Sequence, residues 1–169
     1  MPENRIGVKI DRTILGIDPG TGRLGWAILR SKPGVATVLV DCGCIETKAN
    51  TPLADRLENI YKQISAIIKK HQPKEMAVEE LFFVKNIKTG ISVAHARGVI
   101  LLMAKQNGLE IFDYKPNEIK LAICGHGHAD KSQIAKMLKL HIKGCIIKQD
   151  DAADAVAVAL THLQTNRRR

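Results

Sequence analysis

The sequence predicts an α/β domain built on a mixed sheet of about five strands with helices on its faces. Three β-like segments come first, and the turns between them are so short that they imply antiparallel hairpins. Segments of helical periodicity then alternate with short apolar strands, which is typical of α/β domains. A chain of 169 residues suits one domain with one sizeable core.

Five strands are expected where apolar runs are bounded by turn residues. The glycines that follow Asp18 and the turn Ser31-Lys32-Pro33-Gly34 separate the first three strands. The expected strands are Thr13–Asp18, Arg23–Arg30, Val35–Glu46, Glu75–Leu81 and Glu110–Tyr114.

Five helices are expected where apolar residues recur every three or four positions. Pro73 limits the first helix, and Gly108 is expected to stop the second. The expected helices are Pro52–His71, Asn86–Gln106, Pro116–Cys124, Lys131–Ile142 and Asp150–Gln164. We expect residues 1–12 to form an N-terminal extension, residues 13–165 the single domain and residues 166–169 a basic tail.

The charge of the chain favours a polyanionic partner. Lys and Arg number 26 against 17 Asp and Glu, and a formal charge of +9 promotes binding to nucleic acid through counterion release. No apolar run approaches the roughly 18–20 residues that span a bilayer, and the N-terminus has no signal-peptide core. We therefore expect a soluble cytoplasmic protein with no membrane partner.

The cysteines do not predict a metal site. Cys42, Cys44, Cys124 and Cys145 form no paired CxxC units, and no histidine completes a zinc spacing. We expect four reduced and mostly buried thiols.

Two carboxylates are expected in or at the end of strands. Asp18 ends an apolar strand and opens a glycine-rich turn, where an acid can face an ion, although Asp also forms turns without any further role. Glu79 lies in a short strand that also carries Glu80, and the two side chains point to opposite faces of the sheet. If this strand lay at an edge, both acids would simply be solvated.

Two further carboxylates, Asp151 and Asp154, share one face of a helix start. The first turn of any helix favours anions, so a capping role is the plain alternative. The neighbouring Ala152, Ala153 and Ala155 would let the helix lie close against a sheet and carry Asp154 inward. We expect no basic residues near the four acids. Two Mg²⁺ ions, or Mn²⁺ in their place, would then neutralise them and support phosphodiester hydrolysis.

At five places the sequence resembles the RuvC family of Holliday-junction resolvases. The matching stretches keep the family's order and spacing from about Ile14 to Leu163. They are Ile14-Leu15-Gly16-Ile17-Asp18-Pro19-Gly20, Val78-Glu79-Glu80-Leu81-Phe82 followed by Lys85-Asn86, Ala96-Arg97-Gly98, Lys131-Ser132-Gln133, and Asp151-Ala152-Ala153-Asp154-Ala155.

The resemblance implies a ribonuclease-H-like fold, a homodimer and symmetric nicking of a four-way DNA junction. The residues that it implies as catalytic acids and metal ligands are Asp18, Glu79, Asp151 and Asp154. It also implies that Phe82 stacks on an unpaired base and that Lys120 and Lys131 lie near DNA. A branch-migration motor complex is a further implied partner.

Three other functions remain as alternatives. The run Asp18-Pro19-Gly20-Thr21-Gly22 is similar to the phosphate loop of actin-like and sugar-kinase ATPases, but these need two such domains and the chain is too short. The acids alone do not exclude a nuclease for RNA–DNA hybrids, although the helix start at Asp151 and the basic helices after Tyr114 favour the resolvase. The intact set of acids argues against a junction-binding dimer without catalysis.

Two segments allow more than one interpretation. The helix from Asn86 is apolar nearly all round, so we expect it to be buried on more than one side, either within the monomer or at a two-fold dimer interface. The loop before Lys131 lacks the Gly that a phosphate-binding loop needs there, and His126 and His128 are expected to be exposed.

Overall fold

The computed structural model describes residues 11–81, 87–142, 147 and 149–165. Within them the strands are β1 (Arg12–Asp18), β2 (Arg23–Ser31), β3 (Val38–Glu46), β4 (Glu75–Glu79) and β5 (Glu110–Tyr114). They form one sheet in the order β3-β2-β1-β4-β5. The first three strands pair antiparallel, whereas β4 runs parallel to both β1 and β5. The predicted mixed sheet of five strands is confirmed.

The helices are α1 (Leu53–His71), α2 (Ile87–Gln106), α3 (Pro116–Cys124), α4 (Lys131–His141) and α5 (Asp150–Thr165). α1 and α2 pack on one face of the sheet. α5, with its ten buried residues, lies on the other face and has α3 and α4 beside it. β3 begins three residues later than expected because Val35 donates its N–H to the Lys32 carbonyl in the preceding turn.

Two glycines allow α5 to lie against the central strands. A Cβ on Gly16 of β1 would lie 2.2 Å from the carbonyl oxygen of Ala155, and a Cβ on Gly25 of β2 would lie 1.9 Å from that of Asp151. Neither distance is possible between real atoms, so no larger residue fits without moving the helix. Gly25 pairs directly with Asp18 across the sheet. The start of α5 is thereby brought to the end of β1, as its alanines predict.

A buried polar network holds the other end of α5. His162 is fully buried, with its Nε2 2.6 Å from Glu75 Oε2 and its Nδ1 2.7 Å from the Tyr114 hydroxyl. Arg12 donates its Nε–H to Glu75 Oε1 at 2.9 Å. β1 begins one residue earlier than expected because Arg12 pairs with Ser31 of β2. Burial lowers the pKa of His162 and so favours the neutral imidazole.

α2 exposes much of its apolar surface. The exposed residues include Ile87, Ile91, Ala94, Gly98 and Leu102. Their spacing of three or four residues places them along one face of the helix. Burial of this helix on more than one side, as the composition predicts, is therefore not found within the monomer. By its length and composition alone, α2 is long and apolar enough to cross a membrane. This differs from our expectation that no apolar run of the chain approaches that length.

The structure confirms some of our expectations for the cysteines and histidines and contradicts one. Cys42, Cys44 and Cys124 are free thiols, as expected, but all three are only partly buried, so the expectation of mostly buried thiols is wrong for them. Cys145 lies outside the described residues. His126 and His128 are exposed, as expected.

We predict that Gly16→Ala lowers the free energy of unfolding by about 1–3 kcal/mol, because the added methyl group overlaps the backbone of α5. Urea denaturation followed by circular dichroism measures the change. Gly22→Ala is the matched control, since its Cβ would meet Arg56 at an ordinary 3.6 Å. Equal stability of the two variants would show that α5 is not in backbone contact with β1.

Candidate active site

The ends of two parallel strands place two carboxylates side by side. Asp18 is the last residue of β1 and Glu79 the last of β4, each one position beyond the paired residues Ile17 and Val78. Side chains alternate along a strand, so both acids point to the face that α5 covers. β4 lies between β1 and β5, which excludes the alternative of a solvated edge strand.

The first turn of α5 brings two more carboxylates to the same place. The charge of Asp154 acts on both Asp18 and Glu79, and the charge of Asp151 acts on Asp18. The four acids that the sequence singles out thus meet at one edge of the sheet. Glu79, and not Glu80, is the acid of its strand whose charge raises the pKa of Asp18.

Burial and neighbouring charge raise the pKa values of both strand-end carboxyls. Burial, followed by the negative charges of Glu79 and Asp154, raises the pKa of Asp18 to about 8. Burial also raises the pKa of Glu79. A raised pKa favours the protonated form of Asp18 at neutral pH, which reduces the repulsion between the two neighbouring carboxyl groups.

The other two acids are paired with basic side chains. Arg23 donates its Nε–H to Asp151 Oδ2 at 2.7 Å, and Lys131 donates to Asp154 Oδ2 at 2.9 Å. The expectation that no basic residues lie near the acids is therefore wrong. Arg23 was missed because it is 128 residues from its partner in sequence. The available signal was that β2 begins five residues after Asp18 and returns antiparallel beside it.

The two lysines that the resemblance assigns to DNA contact both border the acid cluster. Lys120 and Lys131 line a half-open cavity of about 420 Å³ between α3, α4 and α5, together with Glu79 and Asp154. Asp130 caps α4 by accepting the N–H of Gln133 at 2.8 Å, which fixes the first turn of the helix that carries Lys131. The predicted base-stacking residue, Phe82, lies outside the described residues.

The chemistry of the donors fits a hard divalent cation. All four side chains are carboxylates, which are the protein ligands that Mg²⁺ and Mn²⁺ prefer. Even so, among the described residues no three acidic, histidine or cysteine side chains are gathered into a ready-made metal site. Asp151 and Asp154 each hold a carboxylate oxygen toward a basic group instead.

We predict that Glu79→Gln lowers the pKa of Asp18 from about 8 towards its ordinary value, because the substitution removes a neighbouring negative charge. The ¹³C chemical shift of the Asp18 carboxyl, followed by NMR between pH 4 and 10 in EDTA, measures it. Part of the rise in the pKa of Asp18 should remain, since burial is the largest cause of that rise. If Asp18 of the wild-type protein titrated near pH 4, the raised pKa of this residue would be contradicted.

Comparison with known proteins connects this arrangement to a family. The chain matches the family Crossover junction endodeoxyribonuclease RuvC over residues 14–162. It is 46% identical over 152 residues to the Crossover junction endodeoxyribonuclease RuvC of Roseiflexus sp. (strain RS-1), which covers 89% of each chain. It is 50% identical over 153 residues to that of Brachyspira hyodysenteriae, which covers 90% of this chain and 94% of the relative.

A solved structure agrees with this relationship. T. thermophilus RuvC in complex with Holliday junction substrate matches with a TM-score of 0.87 at 30% identity, over 92% of this chain and 95% of that one. The predicted ribonuclease-H-like fold is thereby confirmed. The family match spans all four acids and the strands and helix that carry them. The chain therefore belongs to the RuvC family of crossover junction endodeoxyribonucleases.

Proposed function

We propose that this protein resolves four-way DNA junctions by metal-dependent hydrolysis of phosphodiester bonds. The convergence of four carboxylates at one sheet edge is the observation that carries the proposal. The nuclease activity of the RuvC family is metal-dependent, and the T. thermophilus relative was solved with a Holliday junction. The formal charge of +9 suits a DNA substrate.

The proposed ligands of the metal ions are Asp18, Glu79, Asp151 and Asp154. These residues would hold two Mg²⁺ ions, or two Mn²⁺ ions, which would supply the Lewis-acid chemistry for phosphodiester hydrolysis to 5′-phosphate and 3′-hydroxyl ends. The protein must first make these ligands available. Asp18, whose pKa is raised to about 8, has to lose its proton, and Asp151 and Asp154 have to exchange their basic partners for a metal ion.

DNA contact is proposed for the two lysines beside the acids and for Phe82. Lys120 and Lys131 bring positive charge next to Glu79 and Asp154, so they can attract a backbone phosphate without coordinating the metal. Stacking of Phe82 on an unpaired base would contribute roughly 1–3 kcal/mol. We assign these roles to a catalytic domain of residues 13–165, with the basic tail at 166–169 outside it.

A homodimer follows from the requirement for two cuts. Symmetric nicking of two opposed strands needs two active sites, and a two-fold dimer supplies them. The face of α2 that carries Ile91, Ala94, Gly98 and Leu102 is the surface that supports this proposal, because it is apolar and exposed. Its small residues would let two helices approach closely. We propose this dimer as the acting form in the cytoplasm, where a branch-migration motor would be a partner by resemblance.

We predict that Leu102→Glu, which places a charge on the exposed face of α2, converts the dimer to a monomer. Size-exclusion chromatography with light scattering at micromolar concentration measures the mass. Leu140→Glu in α4 is the control, because Leu140 is 78% exposed but lies on a different helix. A wild-type monomer, or a dimer that Leu102→Glu leaves intact, would contradict the interface.

We predict that Asp18→Asn reduces cutting of a synthetic four-way junction by at least about a hundredfold and leaves junction binding intact. Loss of a carboxylate removes a metal ligand, but it does not weaken the attraction of the protein for phosphate. Strand nicking and gel-shift assays measure the two properties. Asp55→Asn, in the exposed first turn of α1, is the control and should cut normally.

The substrate is tested in the same assay with linear duplex and RNA–DNA hybrid, each with Mg²⁺ and with EDTA. Paired nicks in the junction alone, lost with EDTA, support the proposal. Cutting of the RNA–DNA hybrid instead would contradict the proposed junction substrate but would still support the proposed metal site. Full cutting by Asp18→Asn would exclude the proposed site.

A further inference from the structure

Arg23 occupies a position that the register of the sheet determines. It is the first residue of β2 and lies two positions before Gly25, which pairs with Asp18. Side chains two apart on a strand point to the same face, so Arg23 shares the face on which α5 lies. The contact between Gly25 and the carbonyl of Asp151 then brings the start of α5 beside the guanidinium.

Arg23 donates a hydrogen bond to a single oxygen of Asp151. Its Nε lies 2.7 Å from Oδ2, and the thiol of Cys44 lies 3.8 Å from the same oxygen. A second carboxylate, Glu46, lies 3.6 Å from Nη1 of Arg23. The guanidinium is therefore placed between one carboxylate of the acid cluster and one carboxylate outside it.

A divalent ion and this guanidinium cannot both use Asp151 without cost. A metal ion would bind a carboxylate oxygen at about 2.0–2.1 Å, which would bring two cations into contact range of each other. Their repulsion favours withdrawal of the guanidinium. The Arg23 side chain is 54% exposed and has Glu46 as a neighbouring carboxylate, so it has both the space and a partner to withdraw to.

We propose that Arg23 is a positioning residue that holds Asp151 in the metal-free enzyme and competes with a divalent cation for this carboxylate. Arg23 thereby sets the metal affinity of the protein in the absence of DNA. This inference rests on the proposed metal site. An exposed ion pair contributes modestly, so the effect is one of degree and not a block on metal binding.

The test is a titration of the DNA-free, full-length protein with Mn²⁺ by isothermal calorimetry. Arg23→Gln should bind Mn²⁺ roughly two- to tenfold more tightly than the wild type. Arg30→Gln is the matched control, because it removes the same charge from the same strand. Seven residues along a strand span about 23 Å, which is beyond the screening length of roughly 10 Å at 0.1 M salt. Its affinity for Mn²⁺ should equal that of the wild type.

Two further variants locate the effect. In an Asp151→Asn background, Arg23→Gln should tighten Mn²⁺ binding much less, because the oxygen that Arg23 holds is no longer a carboxylate oxygen. Asp18→Asn tests the metal site itself and should lose most Mn²⁺ binding. Circular dichroism of each variant verifies that the fold is retained.

The outcomes separate the two hypotheses. Equal Mn²⁺ affinity of Arg23→Gln and the wild type would overturn the role of Arg23, as would equal tightening by Arg30→Gln or full tightening in the Asp151→Asn background. Wild-type affinity in Asp18→Asn, or no Mn²⁺ binding by any variant, would instead count against the proposed function.

Discussion

Backbone contact between α5 and the two central strands determines where the four acids meet. Gly25 lies opposite Asp18 in the sheet, and the space that its missing side chain leaves is taken by the carbonyl of Asp151. Gly16 provides the same space one turn further along the helix. Because backbone atoms are in contact here, any larger residue at Gly16 or Gly25 would displace the start of α5 and the acids that it carries.

Four acids in such a small space must be neutralised even without a metal ion. The structure reduces the negative charge in two ways. The raised pKa of Asp18 favours its protonated form, and basic side chains pair with Asp151 and Asp154. Unpaired buried carboxylates would cost several kcal/mol each. Protonation of Asp18 and the two ion pairs reduce the repulsion among the acids in the absence of a cation.

Much of this arrangement could be predicted from the sequence, because it depends on local patterns. Alternation and helical periodicity identify every strand and helix, and the spacing of Asp151 and Asp154 places them on one helix face. Arg23 and the buried His162 could not be predicted in the same way. Their partners are distant in sequence and come together through sheet register and helix position. Composition likewise shows that α2 is apolar, but it does not show what covers the helix.

The order of the acids along the chain has a consequence for synthesis on the ribosome. The sheet is complete once β5 has formed, but Asp151 and Asp154 lie on α5, which is made afterwards. A nascent or prematurely terminated chain that ends before α5 would contain Asp18 and Glu79 without the other two acids. Such a chain would also leave the apolar sheet face beneath α5 uncovered. Incomplete copies would therefore lack two of the four acids and would expose an apolar surface to proteases.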